Sequence, residues 1–190
     1  MSAPDLTGLL YLPGELVISP TDLTIAFPHG GTRIGLLRDI VIRPGQANTV
    51  VRTEEFGAEV VEIIEGGREW ILAAALRGYD DDAIRRVFPT TAVGAETGRR
   101  VITDGGDARA GARGSARSVP LLFSPDDTGR RPAILFHRAI PMVSESAALT
   151  LDLDMEGMIG VVFRAIRHGT SARLVSVGHL RDISGRLEAP

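Results

Sequence analysis

The stretch that most limits what this chain can become is residues 49–88, TVVRTEEFGAEVVEIIEGGREWILAAALRGYDDDAIRRVF. Two apolar-rich segments, dense in β-branched and aromatic residues, meet there at Glu65-Gly66-Gly67-Arg68. A Gly-Gly pair supplies the positive backbone angles of a tight turn, so the pattern predicts a strand, a hairpin turn at 65–68, and a second strand broken by Gly78. Ala73-Ala74-Ala75-Leu76 favours helix by propensity, and a helix over 58–77 is the competing reading. Two glycines inside it make that continuous helix costly. Asp80-Asp81-Asp82 then offers a side-chain cap and negative charge to a helix start, which predicts a short helix over 83–88 ended by Pro89. Little more than two turns long, it needs Ile84, Val87 and Phe88 docked on the preceding sheet.

The rest of the chain reads as further short strands. Residues 15–19 and 23–27 are strand candidates, separated from the next strand by the loop PHGG, in which His29 is most simply a solvated loop residue. Residues 32–43 form a two-faced strand closed by Pro44-Gly45-Gln46. Strands follow at 119–123 and at 132–140, where His137 is a packing or edge residue and Pro141 ends the strand or places it at an edge. Residues 148–155 alternate most clearly, with Leu149, Leu151, Leu153 and Met155 on one face and Thr150, Asp152, Asp154 and Glu156 on the other. Residues 158–166 place Ile159, Val161, Phe163 and Ala165 on one face, and the loop 167–171 joins them to 172–177 as a second hairpin. The last residues, about 179–190, hold little apolar content and read as a tail.

Length and composition bound the class. A chain of 190 residues, 44% apolar, fits one domain with its own core. The expectation is a single mainly β domain over 1–190: an antiparallel β-sandwich or barrel with one short flanking α-helix and a long Gly/Arg-rich loop. A net charge of −3 argues against a nucleic-acid coat protein. No apolar run reaches the ~20 residues that span a bilayer, and no basic-then-apolar leader opens the chain, which predicts a soluble protein, made and kept in the cytosol or assembled from it.

Catalytic chemistry finds no foothold. The absence of cysteine removes disulfides, thiol nucleophiles and thiolate metal sites. All 21 basic residues are arginine, so Schiff-base lysines and the lysine of a phosphate loop are absent too. Gly111-Ala112-Arg113-Gly114-Ser115 lacks the spacing of a nucleophile elbow, and four scattered histidines make no metal-binding pair. No catalytic residue, cofactor or metal is expected. Asp152, Asp154 and Glu156 would align three carboxylates on one strand face, a row able to offer oxygens to Mg²⁺ or Ca²⁺, but a solvated acidic face explains them more simply.

Residues 90–118 form an insertion of Gly, Ala, Thr, Ser and Arg with almost nothing to bury, expected to be flexible. Arg99, Arg100, Arg109, Arg113 and Arg117 face only Glu96, Asp104 and Asp107. Contact with a neighbouring subunit ranks first for this basic arm and a solvated loop second. Nucleic-acid contact ranks third because no aromatics interleave.

Taken in order, the Gly31-Thr32-Arg33-Ile34-Gly35-Leu36 strand, the pair around Glu54-Glu55-Phe56-Gly57-Ala58-Glu59, the helix after Arg77-Gly78-Tyr79-Asp80, and the strands Gly160-Val161-Val162-Phe163-Arg164-Ala165 and Arg173-Leu174-Val175-Ser176-Val177-Gly178 resemble a tailed-bacteriophage tail tube protein. The resemblance is one of order and pattern over most of 30–90 and 145–178. It implies an antiparallel β-sandwich with a flanking helix and an extended arm. Six copies would form a ring whose inner sheets join into a barrel, and stacked rings would conduct the genome. It also implies a virion protein assembled in the host cytoplasm. Its partners would be itself, other phage tail proteins and transiently passing DNA, with no membrane. Asp152, Asp154 and Glu156 would then line an acidic lumen that repels phosphates, and the arginine-rich segment would be the arm ordered on an adjacent subunit. A tail terminator or baseplate adaptor shares the pattern. The rival from another class, a monomeric β-sandwich binding module, needs an exposed aromatic platform. With 5% aromatic residues and its one Trp, Trp70, in an expected core strand, the chain offers little for one.

Overall fold

Strand-forming runs account for nearly all the regular structure. In a computed structural model the chain is described at residues 14–52, 60–78, 87, 91–96, 99–104, 114–126, 128, 131–142, 150–152, 155–167 and 173–187. The strands are β1 (Gly14–Ile18), β2 (Thr32–Arg33), β3 (Leu36–Arg52), β4 (Val60–Gly78), β5 (Thr91–Glu96), β6 (Arg99–Asp104), β7 (Val119–Pro125), β8 (Ala133–Met142), β9 (Thr150–Asp152), β10 (Met155–Ala165) and β11 (Val175–Gly178), followed by a short helix, α1 (Leu180–Ile183). Every described pairing is antiparallel. The main sheet runs β2-β1-β7-β8-β10-β4-β3, with β11 beside β8 and β9 beside β10, while β5 and β6 form a separate pair. The protein is mainly β, as its composition and strand patterns predict.

The main sheet rolls until its two ends nearly meet. β2 lies at one end of the strand order and β3 at the other, yet only Ile34 and Gly35 separate them in sequence. Ile34 is fully buried and donates its N–H to the Leu16 carbonyl at 3.0 Å. Gly35 takes a φ of 120°, a conformation open to glycine and strained for other residues. No ladder joins β2 to β3 among the described residues, so the roll stays short of a closed barrel.

Two apolar clusters follow from the period-2 alternation of strands. Leu16, Ile18, Leu121, Phe123, Ile134 and Phe136 face the inside of the roll, where they meet Ile42, Leu72, Leu76, Val161 and Phe163 from the opposite wall. Their neighbours Val17, Leu122 and Leu135 point outward and are covered by Leu23 and Ile183, with Leu180 and Leu187 packed alongside. The central strands are therefore buried on both faces, which is why Leu121-Leu122-Phe123 and Ile134-Leu135-Phe136 read as continuous apolar runs.

Several expectations change. The reversal predicted at 65–68 does not occur: β4 continues through Gly66-Gly67, and its pairing with β3 extends to Arg52↔Val60. Between Gln46↔Arg68 and Asn48↔Glu65, two steps on β3 oppose three on β4, so the glycines serve a β-bulge, neither with positive φ. Pro44-Gly45-Gln46, read as a closing turn, lies inside β3, opposite Trp70, Glu69 and Arg68. As β3 ends the strand order, a residue without an N–H is tolerated there. Pro141 likewise sits within β8, past the point where β7 pairs with it. β10 and β11 form no hairpin: they run in the same direction along one edge of β8. Residues 23–27 form turns rather than a strand.

The helix expected at 83–88 lies outside the described residues except for Val87, which is helical and buried in the main core. The segment read as a tail carries α1 instead, because Leu180, Ile183 and Leu187 supply enough apolar surface to cover the outer cluster. The insertion at 90–118 holds the β5–β6 hairpin and a 3₁₀ turn, Gly114–Arg117.

Candidate functional site

Two features stand out on the surface of the roll: a ribbon that outruns its sheet, and a cleft at the opposite, outer cluster. The ribbon arises because β3 and β4 are much longer than their neighbours. β10 pairs with β4 only from Ile159↔Leu76 to Arg164↔Ile71, whereas β3 and β4 continue together to Arg52↔Val60. Residues 44–52 and 60–70 thus pair only with each other among the described residues, and no described strand lies along the outer edge of either. Arg164 and Glu69 form an ion pair at the base of the ribbon, 2.6 Å apart though not aligned as a hydrogen bond. Farther out, Val50 and Ile63 face each other with 46% and 56% of their surfaces in solvent. A two-stranded ribbon is marginal by itself, and open strand edges invite a further strand.

The cleft, about 1180 Å³, lies between the 21–29 loop, the outer ends of β1 and β7, and α1. Local hydrogen bonds shape the loop. Asp22 Oδ1 accepts from the Thr24 hydroxyl at 2.6 Å and from the Thr24 N–H at 2.8 Å. These two bonds, the hydroxyl first, hold the Asp22 carboxyl below its ordinary pKa. The His29 carbonyl accepts from the N–H groups of Thr21 and Asp22, closing the loop, and His29 itself has a φ of 58°. Expected as a solvated residue, His29 is instead 5% exposed, because its ring stands edge-on to Phe27 at 5.9 Å and its Nδ1 lies 2.9 Å from the Ile25 carbonyl. Ile25 and Phe27 remain substantially exposed on the rim.

His137 packs as its position in a strand suggests. It is buried, with Nε2 2.8 Å from Ser176 Oγ across the β8–β11 pair.

The residues singled out from sequence fall as follows. Asp152 ends β9 opposite Met155, Glu156 lies on β10, and Asp154 is outside the described residues. The three carboxylates therefore do not share one strand as the alternation over 148–155 predicts, because the chain reverses between Asp152 and Met155. Arg99 and Arg100 lie on β6, Arg117 is exposed at the end of its 3₁₀ turn, and Arg109 and Arg113 lie outside the described residues. Among the described residues no three His, Asp or Glu side chains converge as a metal-holding group.

Sequence reasoning missed the cleft. Its one legible trace was the pairing of Asp22 with Thr24 two residues on, a side-chain-to-backbone turn signal, beside two large apolar residues in a loop.

No protein-family model matches the chain, and no curated protein matches it either.

Proposed function

We propose that this chain is a virion structural protein, the tube subunit of a bacteriophage tail. Copies join into a ring, six in number by the family resemblance, and the rings stack into a conduit for DNA. The observation that carries this reading is the β3–β4 ribbon. Its two edges, open among the described strands, and the half-exposed Val50–Ile63 pair are what a subunit contact would cover. Head-to-tail contacts of this kind close into a ring when the rotation between subunits divides a full turn. The role needs no catalytic centre and no cofactor.

In this reading Asp152, Asp154 and Glu156 belong to the lumen lining, where negative charge keeps DNA phosphates from sticking. The arginine-rich segment is the arm that reaches an adjacent subunit. The protein is assembled in the host cytoplasm and resides in the virion with other tail proteins. Replacing the three carboxylates by amides is expected to leave ring assembly intact and to impair genome passage; loss of assembly itself would remove the lumen assignment. Copy number in the particle separates the tube subunit, present in many rings, from a terminator or adaptor present in one.

The cleft favours a second reading, a monomeric β-sandwich module that binds a ligand there. A single-chain mass at every concentration would bring that reading forward.

A further inference from the structure

We infer that the cleft between the 21–29 loop and α1 receives an arginine side chain from a second copy of this chain, with Arg117 of the basic segment 99–117 as donor. The inference rests on the self-assembly reading and names a contact that reading leaves open.

Among its described lining residues the cleft sets three carboxylates, Glu15, Asp126 and Asp182, against one guanidinium, Arg181, with the hydroxyls of Thr24, Ser124 and Thr128 and the His179 ring alongside. His29 Nδ1 lies against the Ile25 carbonyl, and a carbonyl only accepts, so Nδ1 carries a hydrogen, and in the neutral ring Nε2 is an acceptor. That Nε2 has no partner, although His29 is 5% exposed. Glu15 presents a second unpartnered acceptor, Oε2, its other oxygen being taken by Arg33. Asp126 and Asp182, both exposed, add carboxylates to the lining. Ile25 and Phe27 supply apolar and aromatic surface at 47% and 43% exposure.

A guanidinium group answers the carboxylates and the aromatic rim directly, and meets the two buried acceptors once their cover shifts. It has five N–H donors and no acceptor, is weakly hydrated, pairs with carboxylates in a fork and stacks on aromatic faces. An ammonium group would meet the carboxylates too, but it lacks the planar face that stacks on a ring and the fork that pairs with a carboxylate. In an assembly of this chain with itself the choice is also fixed by composition, since all 21 basic residues are arginine.

Geometry separates donor from receptor. The 3₁₀ turn ending at Arg117 leads into the start of β7, whereas Asp126 follows the end of β7. Nine residue steps of mostly extended chain, about 30 Å at ~3.3 Å per step, separate them. Arg117 therefore cannot fill the cleft of its own chain, but donor and receptor at opposite ends of one strand suit a head-to-tail contact between copies.

The test compares the concentration at half-assembly, by sedimentation velocity on the full chain, for the wild type, Arg117→Glu, the double variant Asp126→Arg/Asp182→Arg, and all three changes combined. Circular dichroism checks that each variant folds. Either one-sided variant is expected to raise that concentration about tenfold or more, and the combination is expected to restore it in large part. One-sided variants that assemble like the wild type, or a combination no better than the weaker of them, would overturn the inference while leaving self-assembly standing.

A second arm does not depend on assembly. Nα-acetyl-arginine amide is expected to shift the NMR resonances of Phe27, Asp126 and Asp182, and the neutral isostere Nα-acetyl-citrulline amide is not. Equal shifts from both probes, or none from either, would remove the guanidinium site. A wild type that never assembles would instead sink the self-assembly reading, and this arm alone would then decide the cleft's chemistry.

Discussion

Val50 and Ile63 stand opposite each other across the β3–β4 ribbon, and each keeps about half of its surface in solvent, 46% and 56%. Such a pair contributes less to a lone chain than a core pair, because about half of its area stays in water. Covering it by a neighbour is where it acquires value.

The double variant Val50→Thr/Ile63→Thr keeps β-branched side chains suited to a strand while removing apolar surface. Its thermal unfolding is expected to match the wild type to within about 0.5 kcal/mol. Its assembly, read by light scattering over a concentration series, is expected to weaken. A large loss of stability would mean that the ribbon packs on its own chain.

Phe163 lies at the centre of the roll and is fully buried against the wall formed by β1, β7 and β8. Phe163→Ala removes a ring the surrounding strands cannot collapse to replace, so urea unfolding is expected to show a loss of about 3–5 kcal/mol. A loss under 1 kcal/mol would contradict a packed interior at that position.

Two glycines are expected to behave oppositely. Gly35 holds the joint between β2 and β3 at a φ of 120°, and Gly35→Ala is expected to cost roughly 1–3 kcal/mol in denaturant unfolding. Gly67 lies in the bulge of the exposed ribbon, where an added methyl group meets nothing within 4 Å. Gly67→Ala is expected to be neutral or slightly stabilising, since it narrows the unfolded ensemble. Equal effects at the two sites would undo the distinction.

Those glycines also show how far the sequence was legible. Gly66-Gly67 carries a strong turn signature, but a bulge and a hairpin turn draw on the same residue, and only the pairing partner on β3 decides between them. The strand at 158–166 was readable because one face of it is half in water, so Val161, Phe163 and Ala165 alternate with less buried neighbours. The alternation over 148–155 was equally clean and misleading, since it does not encode the reversal after Asp152. The roll itself was not readable: it depends on which distant strands become neighbours, as when β1 takes β7 and β8 takes both β10 and β11. The candidate cleft is a product of that tertiary arrangement, drawing on the 21–29 loop, the ends of β1 and β7, and α1.

Asp22 gives the account a pH dependence. Its carboxyl is held below its ordinary value by the Thr24 hydroxyl and N–H, so the stabilisation it adds is present above that value, 3.8, and is lost as pH falls through the lower folded pKa. Thr24→Val removes the hydroxyl and keeps the N–H. In a carbon-13 titration of the side-chain carboxyl, the Asp22 pKa is expected to rise toward 3.8. An unchanged Asp22 pKa would mean that the hydroxyl does not hold the loop.

The central claim is that this chain is built to join copies of itself. Negative-stain electron microscopy of the purified protein, with its mass in solution measured on the same sample over a wide concentration range, tests that most directly. Rings or tubes of uniform width, with a mass that is a fixed multiple of 20.3 kDa, are the predicted result. A single-chain mass at every concentration, with no ring or tube on the grid, would contradict the account.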